Sequence, residues 1–154
     1  MRILVDADSL KERLREIIAA AARRHGIEAV FVANRPIRVP QAAGVAAIVA
    51  EDADDWIVAS ACAGDLGVTR DVPLAARLVP LGVDVITDRG ERYTSENIGA
   101  RLSERDLATG FREAGILRQR GRPYGTREIT AFANLLDREL TARSAHRGGP
   151  EESD

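Results

Sequence analysis

At 154 residues the chain has room for one domain with a real core and is too short for two large ones. Hydrophobic residues make up 45% and aromatics only 4%, which argues against global disorder and requires a core of Ala, Val, Ile and Leu. The formal net charge of −2 disfavours indiscriminate nucleic-acid binding over the whole surface, though not a local basic patch. Lys11 is the only lysine, so nearly all positive charge is arginine. Cys62 stands alone, which rules out an intrachain disulfide. No apolar stretch reaches the ~18–20 residues that span a bilayer, and a cytoplasmic, reducing location is the default expectation.

In chain order, Ile3-Leu4-Val5 is a short apolar run that ends abruptly at Asp6-Ala7-Asp8, as a strand buried on both faces would. Ser9 and Glu12 have capping-box spacing, and Leu10, Leu14, Ile17, Ile18, Ala21 and Ala22 recur at helical intervals up to His25-Gly26. Ala29–Ala33 reads as a second strand, followed by an irregular stretch to Pro40. Val45–Ala50 reads as a third strand, then comes the acidic run Glu51, Asp52, Asp54, Asp55 and a helix through Trp56, Ile57, Ala61 and Cys62. Leu66–Thr69 and Val83–Ile86 are further short strands around a helix with Pro73 in its first turn. This rhythm predicts a three-layer α/β/α domain with a mostly parallel central sheet over residues 1–143. Asp88–Arg92 reads as a polar turn, with a helix starting near Thr94 or Ser95. Ser103 and Asp106 suggest another helix start, residues 117–125 a basic loop, and Thr126 the cap of a last helix. Residues 144–154 read as a disordered tail.

In an open parallel sheet, ligands bind beyond the carboxyl ends of the strands. Asp6 and Asp8 leave the first strand, Asp54 follows the third, and Asp71 follows the fourth. If Asp6-Ala7-Asp8 stays extended, alternation sets both carboxylates on one side, about 6.5 Å apart along the chain. Carboxylates gathered in one cleft repel unless a hard cation or protons compensate, and Mg²⁺ or Mn²⁺ with oxygen ligands suits such a set. Capping is the competing reading: Asp8, Asp54 or Asp55, and Asp71 are each placed to cap a helix. Asn34, Arg35, Arg89 and Arg122 follow strands or flank Gly and Pro, as residues holding substrate phosphates would. Thr69 either orients a ligating acid or contacts a substrate phosphate, or is simply a strand former. Cys62 reads as inert core, Trp56 as a packing residue, and His25 lacks a companion in the sequence.

Several stretches point to one family: Val5-Asp6-Ala7-Asp8, Val32-Ala33-Asn34-Arg35-Pro36, Ala53-Asp54-Asp55-Trp56-Ile57, Thr69-Arg70-Asp71-Val72-Pro73, Arg89-Gly90-Glu91-Arg92 and Phe132-Ala133-Asn134. With these matches the chain resembles the YaiI/YqxD family of small bacterial proteins, placed near the PIN-like nuclease fold. The resemblance implies a PIN-like domain with an acidic pocket, in which Asp6 matches the first-strand acid and Asp71 a later one. Asp8 and Asp54 would supply further acids. The family often has Cys-Pro after Asp-Ala-Asp, where Ser9-Leu10 stand here, so an essential thiol at that position is not expected.

The leading expectation is a divalent-metal-dependent ribonuclease or phosphodiesterase in which water attacks a phosphodiester at the aspartate cluster. A haloacid-dehalogenase-like phosphatase, with Asp6 as nucleophile and Asp8 as acid–base, is the first alternative. A non-catalytic RNA-binding protein is the second. The expected partners are RNA or another phosphate-containing substrate, with the chain a monomer or small homo-oligomer.

Overall fold

The computed structural model describes residues 1–115 and 123–147. The strands are β1 (Arg2–Asp6), β2 (Glu28–Ala33), β3 (Val45–Val49), β4 (Leu66–Val68), β5 (Asp84–Ile86) and β6 (Arg92–Tyr93). They form one sheet in the order β3-β2-β1-β4-β5-β6, parallel except for the β5–β6 pair. The helices are α1 (Glu12–His25), α2 (Ala53–Ser60), α3 (Val72–Leu78), α4 (Ile98–Glu113) and α5 (Thr126–Arg147).

Strand alternation sends side chains to two separate cores. Ile3, Val5, Phe31 and Val68 pack beneath α1 and α5, meeting Leu14, Ile18, Phe132 and Leu136. Leu4, Val30, Val32 and Val85 face the other way, onto Ile57 of α2 and Leu74 and Leu78 of α3. The domain is thus the three-layer α/β fold expected from the rhythm of apolar runs. Trp56 is partly buried against the second core, the packing role expected of it. Among the described residues, no helix is long and apolar enough to cross a membrane.

The chain moves outward from β1 to β2 to β3, then returns to lay β4 on the opposite side of β1. The crevice at the carboxyl ends of β1 and β4 is therefore the topological switch point. Val5 pairs with Val68, which brings Asp6 alongside Thr69 at that edge.

Local structure departs from the sequence reading in several places. Residues Ala7–Ser9 form a single 3-10 turn, so Asp6 and Asp8 are not related by strand alternation. The Ser9 hydroxyl does not cap α1; it donates to the Asp6 carbonyl at 3.0 Å and accepts from the Arg70 N–H at 3.2 Å. Helix α2 stops at Ser60, and Cys62 is exposed instead of core, because its N–H is taken by Asp65 Oδ2 at 2.9 Å. The polar turn forms at residues 88–90, but Arg92 at its end already belongs to β6; α4 starts at Ile98, just after reciprocal hydrogen bonds between Thr94 and Asn97, and Ser103 lies inside it. Thr126 is the first residue of α5; Gly125 precedes it and donates its N–H to Glu128 Oε2 at 2.8 Å. His25 does have a companion, Asp137 Oδ1 of α5, at 2.9 Å from Nε2. The proposed tail boundary at 144 falls inside α5, which continues to Arg147, and residues 148–154 lie outside the described residues.

Two contacts fasten α5 to the β5–β6 side of the sheet. Gly90, at φ +75°, sits so close to α5 that an added Cβ would lie 2.6 Å from the Ala131 carbonyl carbon. Further along, Arg143 reaches Asp84 and Glu139 at 2.5 and 2.6 Å. Arg92 reaches the same two carboxylates at 2.8 and 3.1 Å, closing a ring of alternating charges.

Candidate functional site

Asp6, Asp8, Asp54 and Asp71 line one cleft of about 350 Å³ at the switch point, together with Ser9, Asn34, Glu51 and Asp52. Among the described residues, no arginine or lysine lines it. A larger cleft of about 540 Å³ lies between α1 and residues 38–42. That one is walled partly by Ala19, Ala20, Val39 and Pro40, and no strand end delivers an acid to it. Chemistry, not volume, singles out the acidic cleft.

Three of the four acids are held by a hydrogen bond to one of their oxygens. Buried Asp6 accepts from the hydroxyl of buried Thr69, Oγ1 to Oδ2 at 2.6 Å, and the same Oγ1 accepts the Asp71 N–H at 2.9 Å. The Thr69 hydroxyl is thus engaged in orienting the acids, and Thr69 does not line the cleft as the expected phosphate contact would. Asp71 Oδ1 accepts the Leu74 N–H at 3.3 Å, so it caps α3 and lines the cleft at once. Asp8 caps nothing; its Oδ2 accepts the Asn34 N–H at 2.7 Å, joining the β1 and β2 ends. At α2 the cap is Asp52, which accepts the Asp55 N–H at 2.9 Å and leaves Asp54 in the cleft. Asp55 instead pairs with Arg77 at 2.8 Å.

The electrostatics are those of uncompensated charge. Burial pushes the Asp6 carboxyl above its ordinary range, opposed by the Thr69 and Ser9 hydroxyls and reinforced by Asp71 and Asp8. Asp54 is pushed up as well, first by burial and then by the charges of Asp6, Asp71 and Asp52. Among the described residues, no three acidic, His or Cys side chains converge into a ready-made cation cage. The donor set is nonetheless all oxygen and carries surplus negative charge. Mg²⁺ is commonly held by one or two carboxylates and keeps several waters, so the residues fit a hydrated hard cation.

The phosphate candidates divide. Asn34 lies in the cleft and contributes its backbone N–H to Asp8. Arg35 is exposed and lines a different depression, with Arg15 and Arg38. Arg89 donates to the Pro123 carbonyl at 2.9 Å, and its guanidinium lies 5.4 Å from the Tyr124 ring centre. It lines a neighbouring groove, not the cleft. Arg122 lies outside the described residues. Sequence reasoning left Ser9 and Glu51 out of the site. Glu51 was legible as part of the acidic run, whereas nothing local marks Ser9 as a tie between β1 and Arg70.

Fold and site together define a doubly wound parallel α/β protein with an oxygen-lined acidic cleft at its switch point. A model of the family described as "Uncharacterized BCR, YaiI/YqxD family" matches residues 4–142, and the chain belongs to that family. It is 46% identical over 147 residues to a UPF0178 protein of Syntrophobacter fumaroxidans, covering 93% of this chain and 96% of the relative. A UPF0178 protein of Treponema pallidum is 42% identical over 164 residues, covering 100% of this chain and 93% of the relative. One from Halorhodospira halophila is 42% identical over 147 residues, with 93% and 97% covered. No solved structure gives a significant match.

Proposed function

We propose that this chain is a divalent-cation-dependent phosphodiesterase, with RNA the substrate class to test first and the reaction centred on Asp6, Asp8, Asp54 and Asp71. The observation that carries this reading is the meeting of acids from three separate chain segments in a cleft whose lining, among the described residues, has no basic residue. An anionic phosphate entering such a cleft meets like charge, and a cation reverses that sign. Bound there, Mg²⁺ or Mn²⁺ supplies Lewis-acid activation of water and of the phosphoryl group. The chain's part is to hold the donors still. Thr69 fixes the Asp6 carboxylate, the α3 N-terminus fixes Asp71, and the Asn34 N–H fixes Asp8. Burial of Asp6 strengthens its interaction with any cation by lowering the local dielectric. Asp54 is the least restrained of the four, with no hydrogen bond to its carboxylate among the described residues, and is the one we assign to accept a proton from water.

The test is calorimetric titration of the pure protein with Mn²⁺, beside Asp6→Asn and Asp71→Asn, followed by incubation with single-stranded RNA with and without chelator. Saturable Mn²⁺ binding lost in both variants, with chelator-sensitive cleavage, supports the reading. A folded wild-type protein that takes up no Mn²⁺ overturns it. Phosphomonoester turnover through a covalent phosphoryl-Asp6 would replace it with the phosphatase reading.

A further inference from the structure

Next to the acidic cleft lies a second groove of similar size, about 350 Å³, with the opposite charge. Its floor is built by the residues that follow β4 and β5, and its wall by α4. Arg70, Arg89, Arg101, Arg105 and Arg112 line it, against Asp88, Glu91 and Glu104. On α4 the lining residues 101, 104, 105, 108 and 112 fall at helical spacing, so one continuous helix face supplies the wall. The two sites share a boundary one residue wide. Arg70 lines the groove, and Asp71, its neighbour in the chain, lines the cleft.

Apart from Arg89, the groove arginines are only lightly committed. Arg70 Nε lies 3.4 Å from Asp88, and Arg101 lies 3.6 and 3.8 Å from Glu91 and Glu104, with the guanidinium side chains 58% and 42% exposed. Arg105 meets Asp106 at 3.6 Å, and Arg112 has no carboxylate partner among the described residues. Exposed pairs at such distances hold their partners weakly. Guanidinium groups exchange a carboxylate for a bidentate phosphate readily.

We propose that this groove is a phosphodiester-backbone subsite in which Arg70, Arg101, Arg105 and Arg112 hold phosphates of a single-stranded polynucleotide beside the acidic cleft. The subsite deepens the functional reading above and rests on it for the meaning of that adjacency. Contacts to phosphate position a strand without reading its bases. The groove therefore supplies register, and the cleft receives the phosphate next in line.

The test is fluorescence polarisation of a labelled single-stranded RNA in chelator, titrated with wild-type protein and with R101Q/R105Q/R112Q across a salt series. Binding without divalent cations is expected for the wild type. The triple variant is expected to bind at least tenfold more weakly, with a log K against log salt slope shallower by about 2, since each phosphate contact on a single strand contributes about 0.7. A DNA strand of the same sequence is expected to show the same arginine dependence. Equal affinity and equal slope for wild type and variant overturn the proposal, as does a wild type that does not bind. If the triple variant fails to fold, Arg112→Glu alone serves, because it breaks no ion pair among the described residues; unchanged affinity in that variant also overturns it. The two readings fail separately: loss of Mn²⁺ uptake leaves arginine-dependent binding in chelator intact, and loss of that binding leaves Mn²⁺ uptake intact.

Discussion

The Thr69 hydroxyl donates to the Asp6 carboxylate at 2.6 Å while accepting the Asp71 N–H at 2.9 Å, so one buried oxygen ties the acid that ends β1 to the acid that caps α3. Thr69→Val keeps the shape and removes both bonds. The Asp71 N–H then loses its acceptor at all pH values, a cost of about 1–3 kcal/mol if it stays dry. The Asp6 bond matters more when the carboxylate is charged, and its loss pushes the Asp6 carboxyl further up. Denaturant titrations should therefore show a larger loss of stability at pH 8 than at pH 4. An identical loss at both would contradict this account of Thr69.

Asp6→Asn should stabilise the cation-free protein at neutral pH. The folded-state value of Asp6 is raised above the ordinary carboxylate range. Between the unfolded and folded values the native state binds the extra proton, so stability falls as pH rises through that window and stays lower above it. A neutral amide removes the penalty. Thermal unfolding in chelator should give a higher Tm for the variant at pH 7 and a shrinking difference toward pH 3. A variant less stable by the same amount at both values would refute the linkage.

Gly90→Ala should be severely destabilising. It combines a left-handed backbone with a Cβ 2.6 Å from the Ala131 carbonyl carbon, so α5 must shift away from the β5–β6 turn. Strain at positive φ and overpacking each cost of order 1–3 kcal/mol, giving roughly 2–6 together. Gly99→Ala, where an added Cβ meets nothing within 4 Å, is the control. Comparable losses at both positions would show that the Ala131 contact is not the cause.

Glu139→Gln should open the ring formed by Arg92, Asp84, Arg143 and Glu139. Glu139 and Arg143 are largely covered, with side chains 11% and 15% exposed, so their pair is screened less than a surface one. A loss of about 1–3 kcal/mol is expected, between surface and buried pairs. High salt should narrow the difference only partly, which urea titrations at two ionic strengths would reveal.

The sheet was legible because β1, β2 and β4 are buried on both faces and read as unbroken apolar runs. Asp6 was legible because an acid closing such a run is conspicuous. β6 was not, since Arg92 and Tyr93 carry no pattern and become a strand only by pairing with Ile86 and Val85. The capping reading of Ser9 failed for a long-range reason: its hydroxyl is engaged by Arg70, 61 positions away. The pairing of His25 with Asp137, 112 positions apart, was invisible in the same way. Ser103 and Asp106 satisfied a local motif, but a helix had already begun at Ile98. Asp54 was placed correctly in the cleft, although its alternative role as a cap belongs to Asp52.

Helix α4 contributes no fully buried side chain, whereas Asp6 and Thr69 hang from strands clamped between two cores. Asp6 is thus mounted on the packed sheet, and Arg101, Arg105 and Arg112 on an outer helix. Grip can be retuned by exchanging residues along one outer helix without disturbing the carboxylates next door, a separation that invites swapping α4 between relatives as a way to redirect what the domain holds.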